Sequence, residues 1–332
     1  MTYIDLHCDT ISELQKQKKH LLDANLQINL SHLQSSKCLL QCFAMFIFLK
    51  KTNTPALDCL KMIDYYTREL EINAEYIAPA LCYEDIEKNR LQGKISSLLT
   101  IEEGGVTEGS LELLRTYYRL GVRMICLNWN FPNGVGHPNF KFSKQPDFHT
   151  PNETEGLTEY GKEMVAQMNH LGMIIDVSHL SDKGFYDCVE LSTKPIVASH
   201  SNARAICNHV RNLTDDMILK LKENGGVMGL NFCAAFLDDN EEEGRNTISC
   251  LLKHMQHIKK LAGVEVIALG SDFDGIDSNI QLKNASLMPK LFDEMRRQNF
   301  TEEEISKIAY KNFLRVFKEN CYENVGKSTK YL

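Results

Sequence analysis

LTEYGKEMVAQMNHLGMIIDVSH, residues 157–179, holds the fold in miniature. Apolar side chains at 157, 160, 164, 165, 168 and 171 recur at steps of three and four, so they line one face of a helix. Gly172 follows the last of them and can take the left-handed backbone that stops a helix. Residues 173–178 are then a short run rich in β-branched side chains, a strand of the kind buried on both faces. His179 stands where that strand ends. Helix, glycine stop, strand and a chemically active residue at the strand's C-terminal end make one unit of a parallel α/β sheet.

The same unit recurs in both directions. Candidate strands cover 3–8, 40–48, 96–101, 123–127, 173–178, 195–199, 226–232 and 266–271, with helical patterns at 58–76, 111–120, 157–171 and 212–224. Eight strands alternating with helices predict a parallel sheet closed as a (β/α)8 TIM barrel. A chain of 332 residues suits one such barrel with insertions, so 1–332 is read as a single domain. Residues 130–155 lack periodicity and follow the fourth strand, which predicts a long loop at the barrel mouth carrying His137 and His149. The acidic stretch 237–247 reads as solvated. From Thr301 the chain reads as a helical C-terminal extension, capped by that threonine, with acids in the first turn, packed on the outside of the barrel.

A parallel barrel gathers the C-terminal ends of its strands at one mouth, so residues far apart in sequence can share one site. Seven candidates lie at such ends: His7 and Asp9 in IDLHCDT, Glu103 in LLTIEEGG, His179, His200 in IVASH, and Asp272 with Asp274 in IALGSDFDG. Each has a plain structural reading: a histidine beside a capping aspartate, a solvated Glu102-Glu103 pair, core histidines, a tight Asp-Gly turn. Five such strand ends in one chain favour a shared site. Residues i and i+2 of a strand point to one side, so His7 and Asp9 can face one ion. Imidazole with carboxylate suits Zn²⁺. Glu103 precedes Gly104-Gly105, whose missing side chains leave room for a ligand, and a carboxylate there can bridge two metals. His179 and His200 end neighbouring strands and can share an ion. Asp272 can take a proton or hold a substrate ammonium. Arg211, in NHVRNLTDD, can grip a carboxylate with two parallel hydrogen bonds, or else form a surface ion pair.

Composition narrows the classes. Hydrophobic residues are 43% and charged residues 24%, and the formal net charge is −7, which gives no basic face for nucleic acid. The longest apolar run, LLQCFAMFIFL, is too short to span a bilayer, and no signal segment precedes the first strand. Eleven cysteines, an odd number without a CxxC, sit mostly in apolar runs. That predicts thiols in a reducing cytoplasm.

The chain resembles the renal or membrane dipeptidase family of binuclear zinc peptidases (peptidase family M19), and is similar to its soluble, bacterial-type members. The match runs from DLHCDT to NFLRVF, and is most specific in GLTEYGKEMVAQMNHLGMIIDVSHLSD, PIVASHSNARAICNHVRNLTDD and LGSDFDG. The resemblance implies a metallo-dependent hydrolase barrel with two zinc ions at its mouth. His7 and Asp9 would bind one, His179 and His200 the other, and Glu103 would bridge them. Arg211 would hold the substrate's C-terminal carboxylate, and Asp272 would carry the proton and meet the amine. The implied activity is hydrolysis of dipeptides, with a C-terminal D-residue among the candidates, by a metal-bridging hydroxide. The implied partner is a dipeptide, without nucleic acid or membrane, and a homodimer is left open. Two positions depart from the mammalian pattern: Trp129 replaces a substrate-contacting histidine, and Cys233 a tyrosine. Trp129 is therefore expected to line the substrate pocket. Two alternatives stay open. One is another binuclear barrel amidohydrolase, acting on a lactam, lactone or phosphoester. The other is a non-catalytic binding protein on the same barrel.

Overall fold

The computed structural model describes residues 1–22, 24–140, 146–277 and 281–321. The Thr158 hydroxyl accepts from the Gly161 N–H and caps the helix Glu159–Leu171, which buries Met164, Val165, Met168 and Leu171. Gly172 ends it at φ 80°, and a Cβ there would stand 2.7 Å from the Asn320 carbonyl oxygen. Backbone and space both require glycine at that position.

Among the described residues nine strands follow in chain order: β1 Tyr3–Asp5, β2 Cys38–Phe46, β3 Ile77–Pro79, β4 Ile95–Glu102, β5 Val122–Cys126, β6 Ile174–Asp176, β7 Val197–Ala198, β8 Val227–Leu230 and β9 Ile267–Leu269. Their order is β1-β2-β4-β5-β6-β7-β8-β9, and the pairings are parallel. The Leu6 N–H donates to the Leu269 carbonyl (2.9 Å) and the Asp272 N–H to the His7 carbonyl (3.1 Å), which ties the last strand to the first. The eight expected strands are the barrel. The ninth, β3, pairs with β4 beside the barrel path. It was not anticipated, because three residues carry no period. The helix expected over 58–76 runs instead over Pro55–Ile72.

Strand side chains are buried on both faces. Ile4, Leu6, Leu98, Met124, Ile174 and Val197 belong to one cluster, inside the barrel. Leu99, Ile101, Ile125 and Ile175 belong to another, against the helices.

The C-terminal extension begins as expected. Thr301 and Glu304 form a capping box over Glu302–Ser306, and the helix continues through a π turn into Asn312–Asn320. Its place differs from expectation. Phe313, Val316 and Phe317 join the interior cluster. The Asn312 amide donates to the Val264 and Ile267 carbonyls (2.7 and 2.8 Å), the Asn320 amide to Pro195 (3.0 Å), and the Cys321 thiol to Gly172 (3.2 Å). These carbonyls lie at the entrances of β9, β7 and β6. The helix therefore stoppers the N-terminal end of the barrel, whose interior side chains would otherwise meet water. The opposite end is left for chemistry.

Candidate active site

The C-terminal ends of β1, β6, β7 and β9 bring His7, Asp9, His179, His200 and Asp272 together, the first four buried and Asp272 partly buried. The end of β4 adds the buried carboxylate of Glu102. Its Oε1 lies 3.0 Å from His179 Nε2 and 3.5 Å from His200 Nε2, and its Oε2 lies 3.3 Å from His7 Nε2. His7 Nε2 is also 3.8 Å from Asp9 Oδ2 and 3.9 Å from Asp272 Oδ1.

Glu103, expected as the bridging ligand, is not in this cluster. Glu102 is the last residue of β4 and shares the inward parity of Leu98. At Glu103 the chain leaves the strand with φ 112°. Its carboxylate turns to the neighbouring loop and accepts from Gly105 N–H (2.8 Å), Trp129 N–H (3.2 Å) and the Asn133 amide. Asp274 also turns aside, accepting from the Thr10 hydroxyl (2.6 Å) and from the Gln27 and Ile28 N–H groups (2.7 and 3.2 Å). It anchors the segment after the first helix. His137 and His149, in the mouth loop, bond to the backbone carbonyls of Gly156 and of Asn208, which lies beyond β7; residues 141–145 of the loop lie outside the described set.

Outer partners orient the inner side chains. His179 Nδ1 lies 2.7 Å from the Asn130 side-chain oxygen. His200 Nδ1 lies 2.7 Å from Ser199 Oγ, which donates to the buried Asp176 carboxylate (2.5 Å) and so accepts from the ring. Both rings thus carry their proton on Nδ1. Their Nε2 atoms nevertheless face each other at 2.9 Å, with Glu102 Oε1 beside both. Three electron-pair donors converge with no proton between them. His7 Nε2 and Asp9 Oδ1 are buried without a hydrogen-bond partner. Such a set fits a cation and little else. Two triads are close enough to hold one, His7/Glu102/His200 and His7/Asp9/Asp272.

Electrostatics follow the same division. Burial opposes charge on His7, but Glu102 and Asp9 raise its pKa well above the usual imidazole value. Burial, with the Arg211 cation, lowers His179 to about 3, and burial also takes His200 well down. Both stay neutral, the form a metal requires. Burial raises Asp272 to about 7; Asp9 and Glu102 add to this and His7 opposes it. Asn231 donates to Asp272 Oδ2 (2.9 Å).

Arg211 is buried beside His200. Its Nη2 donates to the His200 carbonyl (3.2 Å), its Nη1 approaches Ser201 Oγ (3.5 Å), and its Nε has no partner. Trp129 is half-buried among Phe46, Phe48 and Phe131, with ring centroids 5.0–5.4 Å apart, and 6.1 Å from the His179 ring. Cys233 lies two residues after Asn231, whose side-chain oxygen accepts the Cys233 N–H (2.7 Å).

Sequence reasoning missed Glu102, Asn130, Asp176, Ser199 and Asn231. Parity could have separated Glu102 from Glu103 had the inward set of β4 been known. The polar residues beside the ligands carry no signal until their strands are neighbours.

Comparison with known proteins places the chain in a family and gives the same fold. A family model described as membrane dipeptidase (peptidase family M19) matches residues 1–330. A protein encoded in the pqqA 5′ region of Klebsiella pneumoniae is 35% identical over 77% of this chain and 96% of its own length. Human dipeptidase 3 is 31% identical over 95% of this chain, which spans 64% of the human protein. Among solved structures, dipeptidase AC, a metallopeptidase of family M19, superposes with a TM-score of 0.87 at 25% identity, covering 97% of this chain and 99% of its own. A metallopeptidase from Rhodobacter sphaeroides, solved with a phosphinate mimic of L-Ala-D-Ala, gives 0.86 at 24% identity over 96% and 99% of the two chains. A match over almost the whole length of this barrel means that this chain belongs to the membrane dipeptidase family, peptidase family M19.

Proposed function

We propose that the chain hydrolyses dipeptides with two zinc ions held at the barrel mouth. The observation that carries this is the convergence of His179 Nε2, His200 Nε2 and Glu102 Oε1 with both Nδ1 protons pinned elsewhere. His7 and Asp9 would hold one ion and His179 and His200 the other. Glu102, whose two oxygens face the two sides, would take the bridging role expected of Glu103. Zinc in such a site polarises the scissile carbonyl and lowers the pKa of a water.

The protein supplies binding and proton handling. Arg211, a buried cation with an unpartnered Nε, would bind the substrate's terminal carboxylate in a bidentate pair. Asp272 has Oδ2 held by Asn231 and Oδ1 turned toward His7. With its pKa near 7 it can accept a proton and pass it to the leaving amine. The Trp129 wall would receive an apolar side chain. An indole has one donor and cannot become a cation, so it does not replace an imidazole in kind. The ligand of the Rhodobacter sphaeroides relative supports a C-terminal D-residue among the substrates. Most of the free cysteines are buried, which fits a reducing compartment and a cytoplasmic enzyme. No helix among the described residues is long and apolar enough to cross a membrane.

A panel of L,L and L,D dipeptides, assayed with metal-stripped and zinc-restored protein, tests the proposal. Zinc-dependent cleavage of free dipeptides is the expected result. A protein that binds two zinc ions and cleaves none of the panel, but opens a lactam, lactone or phosphoester, refutes it.

A further inference from the structure

Glu103 stands beside the ligand Glu102 and takes no part in the cluster. It is nevertheless 1% exposed. A buried carboxylate persists only where donors surround it. Its Oε1 accepts from Gly105 N–H (2.8 Å) and from the Asn133 amide, and its Oε2 from Trp129 N–H (3.2 Å). Its backbone is held at φ 112°, costly for a side chain with a Cβ, so the surroundings must enforce it. The glycines after it are fitted to this role. A Cβ on Gly104 would lie 2.5 Å from the Leu127 carbonyl oxygen, and one on Gly105 2.7 Å from Glu103 Oε1.

Two of the three donors, Trp129 and Asn133, lie in one segment of chain. Asn133 also donates to the Leu127 carbonyl (3.0 Å), and its oxygen accepts from Val135 and Gly136 N–H (2.7 and 2.9 Å), closing a turn. Residues 127–136 are thereby tied to the end of β4. Two residues of that segment reach the metal cluster. Trp129 places its ring 6.1 Å from His179 within the Phe46, Phe48 and Phe131 group. Asn130 holds His179 Nδ1 at 2.7 Å.

We propose that Glu103 is a positioning residue: its carboxylate clamps residues 127–136 so that the Trp129 wall and the Asn130 hold on His179 keep a single arrangement. Adjacent glutamates then divide the work. Glu102 serves the metals, and Glu103 sets the pocket that selects the substrate side chain. Its effect on specificity rests on the dipeptidase reading; its effect on Trp129 does not.

Trp129 is the sole tryptophan of the chain, so its fluorescence reports this segment alone. In the full-length, zinc-loaded protein, Glu103→Gln keeps the size of the side chain but must turn an amide N–H₂ toward at least one donor. We expect its zinc content to match the wild type, its Trp129 emission to shift to the red, and acrylamide quenching to rise. The preference for dipeptides with a large apolar side chain over glycine-containing ones should fall by about 10-fold, the scale of a loosened apolar pocket. Glu102→Gln, by contrast, should lose metal. Loss of zinc in Glu103→Gln, an unchanged Trp129 emission, or an unchanged preference each overturns the proposal. If the wild type cleaves no dipeptide, the dipeptidase reading fails and the fluorescence and zinc results decide this one alone. Should Glu103→Gln not fold, Asn133→Ala removes one donor and keeps the carboxylate. It is expected to shift the emission the same way, and wild-type emission there refutes the clamp.

Discussion

Arg211 offers a perturbation whose two effects have opposite signs. Its guanidinium is buried, and burial lowers its pKa. It has two protein hydrogen bonds, to the His200 carbonyl and, at 3.5 Å, to Ser201 Oγ, while Nε is left over. The carboxylates of Asp272 and Glu102 act on it only through space. A buried cation without a paired anion destabilises the free protein by several kcal/mol relative to an apolar side chain of similar volume. A dipeptide carboxylate would supply the missing partner. Arg211→Met should therefore weaken catalysis and strengthen the fold. Losing a charged hydrogen-bonded pair costs about 2–4 kcal/mol in kcat/KM, roughly 30- to 1000-fold, for dipeptides with a free carboxylate. Dipeptide amides, which cannot form the pair, should be poor substrates for both proteins and change far less. Removing the unpaired charge should raise stability by about 1–2 kcal/mol, after allowing for the partners left behind, a rise of roughly 1.5–3 °C in Tm for a chain of this length. Parallel kcat/KM measurements on acids and amides, with thermal melts of the zinc-loaded proteins, test both. A fall in Tm together with equal losses on acids and amides would refute the reasoning, because Arg211 would then be a structural residue.

Two further outcomes follow from single groups. Asp272→Asn should keep its zinc content and lose about 10²- to 10⁴-fold in kcat, the range of a general acid–base group, whereas loss of metal would make Asp272 a ligand. His254 is buried, with Nδ1 accepting from Ala203 N–H (3.1 Å) and Nε2 donating to the Leu237 carbonyl (3.0 Å), and burial lowers its pKa to about 4. The unfolded chain takes up this proton near pH 6.5, so the stability it contributes is complete above that pH. That contribution is lost as pH falls toward 4, by up to about 3 kcal/mol. Urea unfolding of wild type and His254→Gln should diverge across this window, and parallel curves would show that the histidine is not held neutral.

The sequence alone determined the barrel, because the helix period at 157–171, the glycine stop and the strand that follows are local signals. It also placed His7, Asp9, His179, His200 and Asp272 at strand ends, and a parallel barrel brings all such ends to one mouth. What it left undecided is the direction of each side chain. Both faces of β4 are buried, so Ser-Ser-Leu-Leu-Thr-Ile-Glu-Glu reads alike from either side, and hydrophobicity cannot tell inside from outside. Only the closed sheet shows Glu102 pointing in and Glu103 turning to the loop. The helix after Thr301 has an apolar face that could have covered a barrel wall or a barrel end. The carbonyls it meets at Val264, Pro195 and Gly172 belong to separate strand entrances, and they become one floor only after closure. Asn130, Asp176 and Ser199 are ordinary polar residues in sequence. They orient His179 and His200 because β5, β6 and β7 lie side by side, which is a property of the sheet and of no single segment.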